Sequence, residues 1–272
     1  MTLSTTPIVR SVTVPGARLH YEIRGSGPLL LVIGSPMASA EFAPLADALA
    51  SDHTVVTYDP RGYANSPVDD PVAPSGVEER ADDVNAILDD LGAESADLFG
   101  SSGGAVTGLA LVARHPGRVR TLVAHEPPLL ELLPDAAEQR ANAEAILDTF
   151  HRDGFGAAWM HFMVNAGFDV APDEVPPGPT EPSEDEARQA ARFFEIDLLP
   201  TTRYLPDIDA LTNGPSRVVV GIGADSGPLL TYRTSVALCE RLGTTPVEFP
   251  GDHGGFMGAP AEFADTLRTV LD

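Results

Sequence analysis

The chain has 272 residues, 43% of them apolar, a mean hydropathy near zero, one cysteine and a formal net charge of −23. That acidity excludes nucleic acids and anionic membrane surfaces as partners, because both need clustered Lys or Arg. All 17 basic residues are arginine, which excludes Schiff-base chemistry and a phosphate-loop lysine, and the lone Cys239 excludes a disulfide framework or a cysteine metal site. The length suits one large α/β domain or two small ones. No apolar stretch reaches the ~18 residues of a membrane span. The N-terminal MTLSTTPIVRSVTV lacks the basic start and apolar core of a signal peptide, so a cytoplasmic location is expected.

In chain order, IVRSVTV (8–14) and RLHYEIR (18–24) read as strands joined by a Pro-Gly turn. PLLLVIG (28–34) is an apolar run of buried-strand length. EFAPLADALA (41–50) has helical spacing, and HTVVTYD (53–59) is a strand running into the loop PRGYANSP. GVEERADDVNAILDDLG (76–92) is an amphipathic helix stopped by Gly92. ADLFG (96–100), GAVTGLALVARH (104–115) and RVRTLVA (118–124) then read as strand, helix and strand.

After 131 the alternation stops. Residues 135–154, 155–167 and a long segment from about 184 read as helices, and the proline-rich APDEVPPGPTEP (171–182) reads as irregular. SEDE (183–186) is a capping box for the helix that follows. Strand–helix alternation resumes with 217–223, 231–243, 246–251 and 260–271. The pattern predicts an α/β fold, a mostly parallel eight-stranded sheet with helices on both faces. The expected organisation is a core of 1–130 and 213–272, with 131–212 as a helical insertion.

The sharpest chemical signal is FGSSGGA. Gly100-Ser101-Ser102-Gly103-Gly104 fits G-x-S-x-G between a strand and a helix, the setting such a serine nucleophile requires. Only Ser102 has glycine two residues away on both sides. A base is then needed. Among seven histidines, His253 stands in the glycine-flanked loop GDHGGF after the last predicted strand, whereas His20 and His53 lie in or beside strands and His115 ends a helix.

These segments together resemble the α/β-hydrolase superfamily over nearly the whole chain. PLLLVIGSPMAS resembles its third strand and oxyanion loop, YDPRGYANS its D-x-R-G-x-x-x-S segment, FGSSGGA its nucleophile turn and PGDHGGF its histidine loop. The helical insertion corresponds to its cap. The resemblance implies oxyanion donors from the backbone N–H groups of Ser35 and Gly103, in a loop that reads Ile33-Gly34-Ser35-Pro36 where the family often has His-Gly. It implies no metal and no cofactor.

The triad acid stays open. The family's usual site, three residues after the glycine of the seventh strand, holds Ser226 here, and Asp225 stands one residue early. Glu126, in TLVAHEPPLL, ends the sixth strand, a second place for this acid. That H-E-P-P stretch and the nucleophile turn also resemble zearalenone-type lactone hydrolases. Glu126 is the preferred acid and Asp225 the alternative. Other readings make Glu126 a solvated carboxylate or a partner of Arg120, and Asp225 a turn residue. Asp59 is read as a loop-shaping residue.

Met37, Trp159, Met160 and Met163 are candidate pocket residues, although an aromatic and methionine stripe also suits packing of the cap on the core. Phe162, Phe193 and Phe194 carry the same two readings. The expected activity is hydrolysis of a small apolar ester or lactone, with a macrolactone in range. A diketone C–C hydrolase with the same triad, or a ligand-binding member without catalysis, is the alternative. Haloalkane and epoxide hydrolases need an aspartate where Ser102 stands. No nucleic acid or membrane partner is expected, and a homodimer is one allowed assembly.

Overall fold

Eight strands form one sheet in the order β1-β2-β4-β3-β5-β6-β7-β8. In this computed structural model, residues 6–169 and 183–272 are described. The strands are β1 (Ile8–Val14), β2 (Ala17–Gly25), β3 (Leu29–Ile33), β4 (Thr54–Tyr58), β5 (Ala96–Ser101), β6 (Val119–His125), β7 (Arg217–Gly223) and β8 (Val247–Phe249). β2 runs antiparallel to both β1 and β4, and every other pairing is parallel. The expected α/β architecture is therefore present. The proline-rich segment 171–182 lies outside the described residues.

The continuous apolar runs follow from burial on both faces of the sheet. Along β3, Leu30 and Val32 face α1 (Ser39–Leu49), while Leu31 and Ile33 face α2 (Val77–Asp90) and α3 (Gly103–Arg114). Alternate side chains of a strand point to opposite faces, so both faces must be apolar. The α1 side also receives Phe263 and Leu267 from the last long helix, residues 260–271.

Between β6 and β7 the chain makes a 3-10 turn at Leu130–Leu132 and then α4 (Ala136–Asp153), α5 (Phe155–Ala166), α6 (Glu184–Ala191), α7 (Leu198–Thr202) and α8 (Ile208–Asn213). Ser183 caps α6 as its sequence predicts: its Oγ accepts from Glu186 N at 3.2 Å, and its N–H donates to Glu186 Oε2 at 2.9 Å. The long helix expected from about 184 is interrupted by a π-helical turn at Arg192–Asp197. The wider turn brings Arg192 Nε within 3.6 Å of Asp197 Oδ2. α8, not anticipated, is too short for a periodicity signal; Asp207 starts it by accepting from Ala210 N at 2.9 Å. Ile146, Ala158, Phe194 and Leu198 form this region's own small core. After β7 come α9 (Leu230–Leu242), α10 (Gly255–Gly258) and α11 (Pro260–Leu271).

Candidate active site

β5 is central in the sheet, and the chain turns sharply from it into α3. Ser102 makes the turn at φ 56° and ψ −124°. Only three non-glycine residues among those described have positive φ: Ala64, Ser102 and Glu126. Such conformations cost on the order of 1–3 kcal/mol each and persist where the surroundings enforce them. The turn leaves no room for side chains beside it. A Cβ on Gly100 would lie 2.6 Å from the Gly104 carbonyl oxygen, and one on Gly104 would collide with that of Ile33.

Ser35 and Gly103 face each other across this turn, since a Cβ on Gly103 would stand 2.6 Å from Ser35 O and 3.1 Å from Ser35 Cβ. Both residues line the main cavity with Ser102. Gly103 opens α3, where unpaired N–H groups favour developing negative charge. Gly103→Ala should push the Ser35 loop outward. On the reading of Ser35 and Gly103 as oxyanion donors, the expected result is a loss of roughly 100-fold or more in kcat for an activated ester, the size of one lost donor, with a modest fall in melting temperature.

Glu126 stands at the end of β6, next to β5, the strand that runs into Ser102. It is fully buried, yet its carboxylate has three donors. Gly223 N donates to Oε1 at 2.9 Å, Thr231 Oγ1 donates to Oε2 at 2.9 Å, and His253 Nδ1 lies 2.6 Å from Oε2. Burial opposes its charge, but the His253 hydrogen bond and the nearby imidazoles outweigh burial and hold its pKa down to about 2. Glu126 is thus an ionised partner of His253. Asp225, by contrast, is exposed; the hydrogen bond there runs from its backbone N–H to Gly251 O at 2.9 Å. Arg120, considered as a partner for Glu126, pairs with Asp97 at 2.6 Å.

His253 and Ser102 line the same cavity. Nδ1 of the ring is taken by Glu126. No Ser102–His253 hydrogen bond is formed among the described residues, and contacts of this kind tighten once substrate is bound. Phe168 packs edge-on against the imidazole, with ring centroids 6.2 Å apart.

The cavity measures about 540 Å³, a size suited to a small organic substrate. Met37, Trp159, Phe162, Met163 and Phe193 line it, while Met160 does not. On α5, Trp159, Phe162, Met163 and Ala166 follow i, i+3, i+4, i+7 spacing and share one face; Met160 is turned about 100° away from Trp159. Phe194 packs in the small core with Ile146 and Leu198 instead. Asp197, Thr201 and Thr202 add a polar wall from the π-turn and α7. Asp59 shapes a loop: it accepts from the N–H and hydroxyl of Ser39 and from Asn65 N and Nδ2.

Sequence reasoning missed Thr231 and Gly223 as holders of the acid, and nothing local marks them. It also missed Arg80, whose signal was visible, since this arginine sits on the Val77–Ala81–Val84 stripe that α2 buries.

His125 precedes Glu126 and packs among Phe99, Phe249 and Phe263. It is fully buried, and neither ring nitrogen has a hydrogen-bond partner among the described residues. Burial lowers its pKa to about 4, although Glu126 pulls the other way. The native state therefore keeps His125 neutral, while the unfolded chain takes up a proton near the ordinary pKa of 6.5. This histidine costs the fold about 3 kcal/mol as pH falls from 6.5 to 4. His125→Phe should lose correspondingly less stability over that window, as read from urea unfolding at pH 7 and pH 4.

A family model described as "alpha/beta hydrolase fold" matches residues 27–157. The "Uncharacterized hydrolase YraK" of Bacillus subtilis is 33% identical, with 96% of this chain and 95% of that protein covered. The "Putative carbamate hydrolase RutD" of Caulobacter segnis is 36% identical over 93% of this chain and 94% of its own length. Among solved structures, an alpha/beta hydrolase from Sphaerobacter thermophilus superposes with a TM-score of 0.68 at 25% identity, covering 93% of this chain and 99% of that one. A thermophilic esterase from Thermogutta terrifontis shares the fold with a TM-score of 0.72 at 19% identity, covering 98% of both chains. On near-full-length similarity and a matching sheet, this chain belongs to the α/β-hydrolase family.

Proposed function

We propose that the protein is a serine hydrolase that cleaves a small apolar carboxylic ester or lactone through an acyl-enzyme. The observation that carries this reading is the 2.6 Å contact of His253 Nδ1 with buried, ionised Glu126, His253 lining the same cavity as the strained Ser102. His253 Nε2 takes the Ser102 proton as Oγ attacks the carbonyl carbon. The N–H groups of Ser35 and Gly103 receive the charge that develops on the carbonyl oxygen. Collapse breaks the C–O bond, and His253 returns the proton to the leaving alkoxide. Water, deprotonated by the same imidazole, then releases the acid and restores Ser102. Glu126 holds the ring in the useful tautomer and stabilises its cationic form. The scheme calls for no metal or cofactor.

The apolar wall of Met37, Trp159, Phe162, Met163 and Phe193 supports an apolar acyl or alkyl group. A carbamate is the second reading, on the strength of the relative that bears a carbamate-hydrolase name. A fluorophosphonate probe, with a screen of aryl esters, small lactones, macrolactones and carbamates on the wild type and Ser102→Ala, tests the proposal. Labelling of Ser102 with turnover of an ester or lactone supports it. Failure to label Ser102 overturns it.

A further inference from the structure

Arg80 is an arginine with about 1% of its surface exposed, set on the apolar stripe of α2. Burying a guanidinium costs several kcal/mol unless its partners compensate closely, so its partners indicate what holds it there. Nη1 donates to Ser35 Oγ at 3.2 Å, and Nη2 donates to Thr201 Oγ1 at 2.7 Å. Its charge faces Asp197, with Nη1 and Oδ1 3.7 Å apart. Asp197 is itself held by Tyr63 Oη at 2.7 Å, Ser75 Oγ at 3.1 Å and Arg192 Nε at 3.6 Å.

One guanidinium therefore joins the loop that carries Ser35 to the π-turn and α7 of the insertion. Ser35, Asp197 and Thr201 all line the substrate cavity. Residues 35–38 belong to no strand or helix, and α1 starts only at Ser39, so side-chain ties stand in place of a backbone ladder: Arg80 on Ser35, and Glu41 Oε2 accepting from Ala38 N at 3.1 Å. Its displacement would move Ser35 N–H relative to Gly103, and misplacement of about 1 Å is enough to cost ~100-fold in rate.

We infer that Arg80 is a positioning residue: through Ser35 Oγ it holds the oxyanion loop in register with Gly103, and through Thr201 and Asp197 it makes the insertion part of that support. The inference rests on the hydrolase reading for its kinetic consequence, though not for the physical tie.

The test combines kinetics with hydrogen exchange on Arg80→Gln, Ser35→Ala, their double variant and the milder Thr201→Val. For an activated aryl ester, Arg80→Gln is expected to lower kcat by roughly 10–100-fold, with KM changing by no more than about twofold. Ser35→Ala should do the same, and the double variant should be no worse than the poorer single, since the Ser35–Arg80 bond is already broken in either single variant. Thr201→Val, which leaves every charge in place, should lower kcat by a few-fold without unfolding. The backbone amide of Ala38, which donates to Glu41 Oε2, should exchange faster in Arg80→Gln, while those of β5 and β6 stay protected.

Wild-type kcat in Arg80→Gln, multiplicative losses in the double variant, or unchanged exchange at Ala38 would each overturn the inference. A kcat loss with equal loss of protection across the sheet would also overturn it, by showing a purely structural role. A wild-type protein that fails to take up fluorophosphonate sinks the hydrolase reading alone, and the exchange data then judge the tie by themselves.

Discussion

Ser102→Ala is expected to lower kcat on the best ester or lactone substrate by on the order of a million-fold, with the protein still folded and still binding substrate. Removal of a nucleophile from a concerted triad costs about that much, because the remaining members have nothing to act on. The residue's backbone gives a second readout. At φ 56° and ψ −124°, alanine carries the same strain as serine, so Ser102→Ala should melt close to the wild type. Ser102→Gly relieves the strain and should melt about 2–4 °C higher while equally inactive. Rising stability with abolished turnover would mark the strain as belonging to the site. A Ser102→Ala enzyme that keeps more than a tenth of wild-type turnover would remove Ser102 from the chemistry.

The second large effect separates the two candidate acids. Glu126→Gln should cut kcat by roughly 10⁴-fold, since the amide neither stabilises the imidazolium nor fixes the tautomer. Asp225→Asn should leave kcat within about twofold, because that side chain is exposed and His253 Nδ1 is already taken by Glu126. The reverse pattern would transfer the role to Asp225.

Glu126 also predicts a pH dependence. Its folded pKa, about 2, lies below the ordinary 4.5. The charged form therefore contributes about 3 kcal/mol of stability above pH 4.5, and that contribution disappears as pH falls toward 2. Glu126→Gln should be less stable than wild type at pH 7, with the gap closing in that acid window. This window overlaps the 6.5-to-4 range assigned to His125 only between pH 4.5 and 4, so the two groups can be told apart in one acid titration of stability.

Much of this fold was legible locally. Runs such as LLLVI and the periodic stripes of α2 and α3 state which faces are buried, and burial selects strand or helix period. The glycines around Ser102 were informative for a similar reason: a tight strand-to-helix turn leaves no volume for a Cβ, and that constraint is met within five residues. The capping box at Ser183 is equally local and is found in place. The π-turn at 192–197 and the six-residue α8 were not legible. Nothing in RFFEID departs from ordinary helical composition, and the wider turn is held by partners such as Ser75 and Tyr63, more than 100 residues away.

The choice of acid marks the same boundary. By itself the sequence determined the α/β class, the order of the strands and longer helices, and a serine on a turn that only glycine neighbours permit, because those properties depend on residues close together in the chain. The tertiary structure alone decided that Glu126 reaches His253 and that Asp225 does not. That contact spans 127 residues and depends on β6, β7 and β8 lying side by side, on the positive φ of Glu126, and on Gly223 N and Thr231 Oγ1 holding its carboxylate. Two acids with equally suitable places in the chain order differ in reach, and reach is set by strand neighbours that spacing along the chain does not specify.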